Sequence, residues 1–164
     1  LGAEKAVLHA GSRGAWDAAW DEEEIQELIV EGVEEIDEAA ADHGIEICAE
    51  NVPGDFFTIR DFDGLFDDTR VSMTLDTGHA RMEDMDSRDI AGFVEEHRDR
   101  ISHFHVNDTR MPEDDHVPFG SGNLEFERIF APLQHSWEGT LSLEILTWNW
   151  DYIEFSKRKL DEII

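Results

Sequence analysis

Residues 101–108 read ISHFHVND, an apolar run that carries two histidines and closes on two polar residues. Alternate residues of a β-strand point to the same side, so His103 and His105 share one side of the predicted strand. Buried strands normally place Val or Ile at such positions, and two imidazoles there need a partner. We therefore predict that His105, nearer the strand end, is a metal ligand and that His103, one layer deeper, supports it.

Further apolar runs are also typical of buried strands: KAVLH (5–9), IEICAE (45–50), RVSMTLD (70–76) and TLSLEIL (140–146). Stretches with helical periodicity lie between or after the strands, at residues 21–44, 87–100, 124–134 and 150–164. Alternating strands and helices predict an α/β fold with a parallel sheet.

A residue able to bind a metal stands at or just before the end of every predicted strand: His9, Glu50, Asp76, His105 and Glu144. The carboxyl ends of parallel strands converge on one mouth in a barrel. Carboxylates and imidazoles buried together must be paired or metal-bound to offset their desolvation. The pattern therefore predicts a metal site.

The loops after these strands carry more candidate ligands. Asp76 is followed three residues later by His79, at a predicted transition from strand to loop. Asp114 and His116 are near neighbours in the loop after His105, where Gly120 and Gly122 allow a tight fold. Imidazole and carboxylate ligands together suit zinc, manganese, iron or cobalt better than calcium.

Six motifs, in this order, resemble those of the xylose isomerase-like TIM barrels: HAGS, AENVPG, LDTGHA, HFHVND, DDHVPFGSGNLEF and LSLEIL. The resemblance implies a TIM (β/α)8 barrel, which needs eight strand and helix units in roughly 250 residues. We therefore expect residues 1–164 to be a single domain, an N-terminally truncated partial barrel that lacks its first units. Its open edges predict instability or self-association into a homo-oligomer.

The sugar isomerase and epimerase branch of the superfamily gives the first functional hypothesis. Resemblance to it implies one divalent metal (Mn, Co, Mg or Zn) held by Glu50, Asp76, His105 and Glu144, with His79 contacting a sugar or sugar-phosphate substrate. The reaction would be proton transfer next to a metal-polarised carbonyl, with Glu50 or Glu144 as the base.

Two further residues are candidates for substrate binding, each with an alternative. Arg110 could bind a substrate hydroxyl or phosphate, or could pair with nearby acidic residues at the surface. Trp148 could stack on a sugar face, or could pack at the start of the last helix.

The endonuclease IV branch gives the alternative hypothesis. Resemblance to it implies that His9, His79, Asp114 and His116 join the other ligands around a three-zinc cluster that hydrolyses DNA at abasic sites. The GSGN sequence after His116 fits this branch, whereas the acidic stretch ARMEDMDSRD and the lack of a basic phosphate track do not. A third hypothesis is a metal-binding barrel without catalysis.

The composition indicates the environment of the protein rather than its reaction. The chain has 40 acidic and 13 basic residues, a formal net charge of −27, which is typical of halophilic proteins and disfavours nucleic acid as a partner. The single cysteine, Cys48, excludes an internal disulfide and favours a reduced, cytoplasmic location. No apolar run is long enough to cross a membrane and no signal peptide is recognisable, so we expect neither membrane association nor export.

Overall fold

The computed structural model describes residues 2–15, 20–111, 113–133 and 137–164. Strands and helices alternate along the chain, and the α/β prediction is confirmed. The chain divides into two compact units, residues 1–74 and Leu75–Ile164, while its organisation as a single domain stays a prediction. Within the described ranges, no helix is both long and apolar enough to span a bilayer.

The first unit contains three parallel strands in the order β1-β2-β3, the third of which continues beyond it. His9 lies opposite Glu50 in the register of β1 and β2, and Glu50 lies opposite Thr74 in that of β2 and β3. The elements are β1 (Lys5–His9), a 3-10 turn (Arg13–Ala15), α1 (Glu22–Ala41), β2 (Glu46–Glu50), α2 (Phe62–Asp68) and β3 (Ser72–Asp76).

Helix α1 begins where the sequence supplies a cap. The Asp21 carboxylate accepts a hydrogen bond from the backbone N–H of Glu23, and the acidic first turn suits the positive end of the helix dipole. Ile25, Ile29 and Val33 recur at helical spacing and are buried. This face packs against β2, whose Cys48 is fully buried.

The second unit starts with the last two residues of β3 and has the strand order β3-β4-β5. In the parallel register of β4 and β5, His105 lies opposite Ser142. The remaining elements are α3 (Thr77–Met82), α4 (Ser87–His97), β4 (Ile101–Val106), α5 (Phe126–Phe130), a 3-10 turn (Ala131–Leu133), β5 (Thr140–Leu143) and α6 (Trp150–Ile163).

Strand β4 has two chemically different sides, as its sequence predicts. Phe104 and Val106 are fully buried, and the Phe104 ring lies 5.4 Å from that of Phe130 in α5. His103 and His105 occupy the alternate positions and are half-buried, with their rings edge to face. The apolar side of the strand therefore anchors the position of His105 through helix packing.

Several predicted boundaries were wrong. The predicted loop after Asp76 is helix α3, because the Asp76 carboxylate caps it and accepts the backbone N–H of His79. Helix α2 was missed, and β5 ends at Leu143 rather than at residue 146, so Glu144 follows the strand. The helix predicted at 124–134 is a short α5 followed by a 3-10 turn, with Gln134 outside the described residues.

Candidate metal centre

Asp76, His105 and Glu144, which we call the strand-end group, come together in the second unit. Each offers one ligand atom, and these atoms lie within 4.8 Å of one another. Asp76 is fully buried, while the Glu144 side chain is 42% exposed. Nδ1 of His105 lies 2.9 Å from Oε2 of Glu144. Two carboxylates and one imidazole at this spacing suit a divalent transition metal or magnesium.

The fold itself orients the Asp76 carboxylate. Oδ1 accepts the backbone N–H of His79 at 2.7 Å, and Oδ2 accepts Nδ2 of Asn107 at 2.8 Å. Both carboxylate oxygens are therefore held in a defined orientation by the fold. Asn107 is itself fixed, since its backbone oxygen accepts the Thr77 hydroxyl. Sequence reasoning missed this role of Asn107.

Gly78, in the first turn of α3, is required by the closeness of Asn107. A Cβ at Gly78 would meet the Asn107 side-chain oxygen and come within 3.3 Å of the Asp76 carboxylate. The amide that orients Asp76 therefore fits only against a residue without a side chain. The TGH part of the sequence thus serves the site through its glycine as well as its histidine.

His79, Asp114 and His116 form a second cluster, the loop group, also within the second unit. Their ligand atoms lie within 4.8 Å of one another. Nε2 of His116 is 2.9 Å from the Asp114 carboxylate, and Nε2 of His79 is 3.5 Å from it. Both imidazoles are buried, whereas the Asp114 side chain is 46% exposed. The loop group therefore opens to solvent through its carboxylate.

The two nitrogens of the His116 ring have different partners. Its Nδ1 lies 2.9 Å from the backbone oxygen of Glu144, and a carbonyl oxygen can only accept, so Nδ1 donates to it. Nε2, the other ring nitrogen, faces the Asp114 carboxylate at 2.9 Å. His116 also has a φ of 41°, unusual for a residue with a side chain, and such strain is often found at functional sites.

His9 and Glu50 belong to the first unit. Glu50 ends β2 and is 3% exposed, and its Oε2 lies 3.2 Å from Nε2 of the more exposed His9. The predicted strand-end positions of both residues are therefore correct. Metal binding by His9 and Glu50 stays a prediction.

Arg110 and Trp148, two of the predicted substrate-binding residues, lie at the surface of the second unit. The Arg110 guanidinium binds the Asp115 carboxylate through two nitrogens, each at 2.7 Å. Burial opposes ionisation of Asp115, but the hydrogen bonds from Arg110 and Thr109 outweigh it and hold the pKa of Asp115 below its ordinary value. Trp148 is fully exposed and precedes Asn149, the N-cap of α6. Substrate contact by Arg110, Trp148 or His79 stays a prediction.

The sequence and the fold of the chain were compared with those of known proteins. A protein-family model described as a xylose isomerase-like TIM barrel matches residues 1–158. An uncharacterised protein of Methanocaldococcus jannaschii is 30% identical over 125 residues, which cover 67% of this chain and 40% of that protein. The chain therefore spans less than half the length of this curated relative.

Two solved structures have the same fold. A D-tagatose 3-epimerase-like protein superposes with a TM-score of 0.79 and 28% identity, over 98% of this chain and 61% of that one. The IolI protein, solved with a bound zinc atom, superposes with a TM-score of 0.69 and 17% identity, over 97% of this chain and 61% of that one.

Proposed function

We propose, because this chain belongs to the xylose isomerase-like TIM barrel family, that it is a metal-dependent sugar or sugar-phosphate isomerase or epimerase. The observation that carries the proposal is the strand-end group, three side chains whose ligand atoms lie within 4.8 Å of one another and one of which is a carboxylate that the fold already orients. The likeness to a D-tagatose 3-epimerase-like protein supports this branch of the family.

The donor set suits a divalent ion such as Mn, Co, Mg or Zn. Asp76, His105 and Glu144 would hold it, with Glu50 as a fourth ligand by the prediction from its strand-end position. When bound, the metal supplies Lewis-acid polarisation of a carbonyl and its neighbouring hydroxyl, which makes the C–H bond between them acidic. Zinc in the IolI protein supports a metal role.

One of two glutamates, Glu144 or Glu50, would transfer the proton. Glu144 is accessible from solvent and lies against the His105 imidazole, so one of its oxygens can face a substrate carbon while the other faces the metal ligands. Glu50 is the other candidate for this base. His79, at the start of α3, would bind a substrate hydroxyl beside the carboxylate of Asp114.

Exchange of substrate hydrogen with solvent tests the proposal directly. Ketoses and aldoses, with and without phosphate, would be incubated with the protein and manganese in deuterated water, and deuterium uptake followed by NMR. Glu144→Gln should lower the uptake at least about 100-fold if Glu144 is the base. Glu95→Gln, on the exposed surface of α4, is the matched control. No uptake with any sugar would contradict an isomerase or epimerase that works by proton transfer.

The loop group favours a second candidate, a zinc-dependent abasic-site endonuclease. His79, Asp114 and His116 would then hold further zinc beside the strand-end group, with His9 as an additional ligand. Zinc stoichiometry separates the two candidates, because the endonuclease needs about three zinc ions per chain and the isomerase needs one. Nicking of abasic DNA by the zinc-loaded protein would establish the second candidate, whereas absence of any bound metal would favour a barrel without catalysis.

The acidic composition bears on the environment in which the protein works. A net charge of −27 supports a halophilic protein that keeps its surface hydrated in high salt. The single cysteine favours the cytoplasm, and the proposed activity would belong to carbohydrate metabolism. Unfolding in urea at low and at molar potassium chloride tests the halophilic character, with stability expected to rise with salt. Sedimentation in the same buffers tests the proposed self-association.

A further inference from the structure

We propose that Asp108 is a positioning residue that holds the loop group in place. It lies two residues after the end of β4, and its side chain is fully buried. The inference rests on the proposed function only in that it takes the loop group to bind metal or substrate. Asp108 itself touches neither Asp114 nor the two histidines in any described contact.

The Asp108 carboxylate accepts hydrogen bonds from the backbone rather than from a basic side chain. Oδ1 accepts the N–H of Thr109 at 3.0 Å and that of Leu124 at 3.1 Å. Oδ2 accepts the N–H of Gly120 at 3.0 Å and that of Gly122 at 2.9 Å. A buried carboxylate is costly unless its oxygens are satisfied, and these bonds satisfy both of them.

The sequence of the loop is adapted to this carboxylate. A Cβ at Gly122 would collide with the Asp108 carboxylate and with the backbone oxygen of Thr109. Gly120 has a φ of 78°, in the left-handed region that favours glycine. Both glycines of the GSG sequence are therefore needed for the chain to converge on Asp108.

The hydrogen bonds to Asp108 join the two ends of the segment that carries Asp114 and His116. Amides from both ends of the segment 109–124 meet at one carboxylate, and Asp114 and His116 lie on the segment between them. The backbone of Asp108 also pairs with Val117 through two hydrogen bonds of 2.9 Å, directly after His116. Asp108 thereby fixes where His116 stands and lets its Nδ1 reach the Glu144 oxygen.

Asp108→Asn is the most informative substitution, since it keeps the shape but removes the charge. One side-chain oxygen becomes an NH2 group, which cannot accept from the amides that faced it. Asp99→Asn is the matched control, because the Asp99 side chain is 95% exposed in the same unit. Circular dichroism establishes that each variant is folded.

The readouts are hydrogen exchange of the amides of Gly120, Gly122 and Leu124 and the ring 15N shifts of His116. We expect slow exchange and a single set of His116 ring shifts, with a hydrogen on Nδ1, in the unsubstituted protein, and at least about tenfold faster exchange with a changed Nδ1 shift in Asp108→Asn. Asp99→Asn should resemble the unsubstituted protein. Unchanged His116 shifts in a folded Asp108→Asn variant would overturn the proposal.

If Asp108→Asn does not fold, two other measurements still test the role of Asp108. Exchange of the three loop amides in the unsubstituted protein as fast as in an exposed loop would also overturn the proposal. Gly122→Ala, which displaces the carboxylate without changing its charge, should reproduce the change in the His116 Nδ1 shift, and an unchanged shift would again refute the proposal.

Cobalt binding separates this inference from the proposed function. Asp108→Asn should weaken cobalt at the loop group by about 10- to 100-fold, the usual effect of losing a residue that orients ligands. The effect should vanish in a His116→Ala background, whereas an equal loss in both backgrounds would indicate general destabilisation and refute the positioning role. Failure of the protein to bind any metal would remove the proposed function, while the amide exchange and the His116 ring shifts would still decide the role of Asp108.

Discussion

Alanine substitution of the two histidines of β4 separates a ligand from its neighbour. His105 and His103 lie two residues apart on the same side of the same strand, and both are half-buried. His105 contributes a nitrogen to the strand-end group, whereas Nδ1 of His103 lies 2.6 Å from the Thr140 hydroxyl. The two substitutions therefore remove equal volumes from one strand but different functions.

The expected magnitudes follow from these contacts. Losing a residue that orients a metal ligand costs about 10- to 100-fold in affinity, equivalent to about 1.4–2.8 kcal/mol. Loss of His105, a ligand itself, should exceed the upper end of that range. His103 meets His105 in an edge-to-face ring contact at 5.3 Å and is not itself one of the strand-end ligands, so its loss should cost about tenfold or less.

Competition with a chromophoric chelator measures both affinities for manganese and zinc. Urea unfolding of each variant shows whether a weaker affinity merely reflects a less stable chain. Equal losses of affinity in His105→Ala and His103→Ala, or no loss in either, would refute the assignment of His105 as a ligand.

Three further substitutions test the site and its supports. Asn107→Ala removes the amide that orients Asp76 and should weaken metal binding about 10- to 100-fold in the same chelator assay; an unchanged affinity would contradict the orienting role. Gly92→Ala, exposed in α4 with open space around the new methyl, should raise the free energy of unfolding by about 0.5–1 kcal/mol in urea, and a decrease would contradict the described helix. Hydrogen bonds from the α4 backbone, led by that of Asp89, hold the pKa of Asp86 below its ordinary value of 3.8, so its ionised cap stabilises α4 above that pH and loses the effect as pH falls through the lower pKa of the folded state. In urea titrations from pH 6 to about pH 3, the stability advantage over Asp86→Asn should therefore shrink with acidity, and a constant difference would refute the cap's charge effect.

The strand ends could be predicted from sequence, but the start of α3 could not. Apolar runs that close on Glu50, Asp76 and His105 indicate both the strand and the polar residue at its end. Thr77 and Gly78 are poor helix formers, so propensity predicts a loop after Asp76. The Asp76 cap and the packing of the following residues override that propensity, and DTGH is the signal that could have been used.

The role of Asp108 was beyond sequence reasoning for a different reason. Its partners are backbone amides, which every residue except proline has, and two of them lie 12 and 14 residues further along the chain. Only Gly120 and Gly122 leave a trace in the sequence, and they predict a tight loop without naming what the loop encloses. Among the residues that the structure describes, the hydrogen bonds of the Asp108 carboxylate come from backbone amides and not from a basic side chain, so the sequence shows no pair of opposite charges that would reveal them.

The capped carboxylate of Asp76 also bears on how fast an ion can be captured. Since helix α3 and Asn107 orient both of its oxygens, the entropy of ordering this ligand is lost when the chain folds and not when an ion arrives. Capture at the strand-end group should then be limited by the release of water from the ion. In stopped-flow mixing, manganese should therefore bind faster than magnesium, which dehydrates reluctantly, and equal rates for the two ions would contradict this.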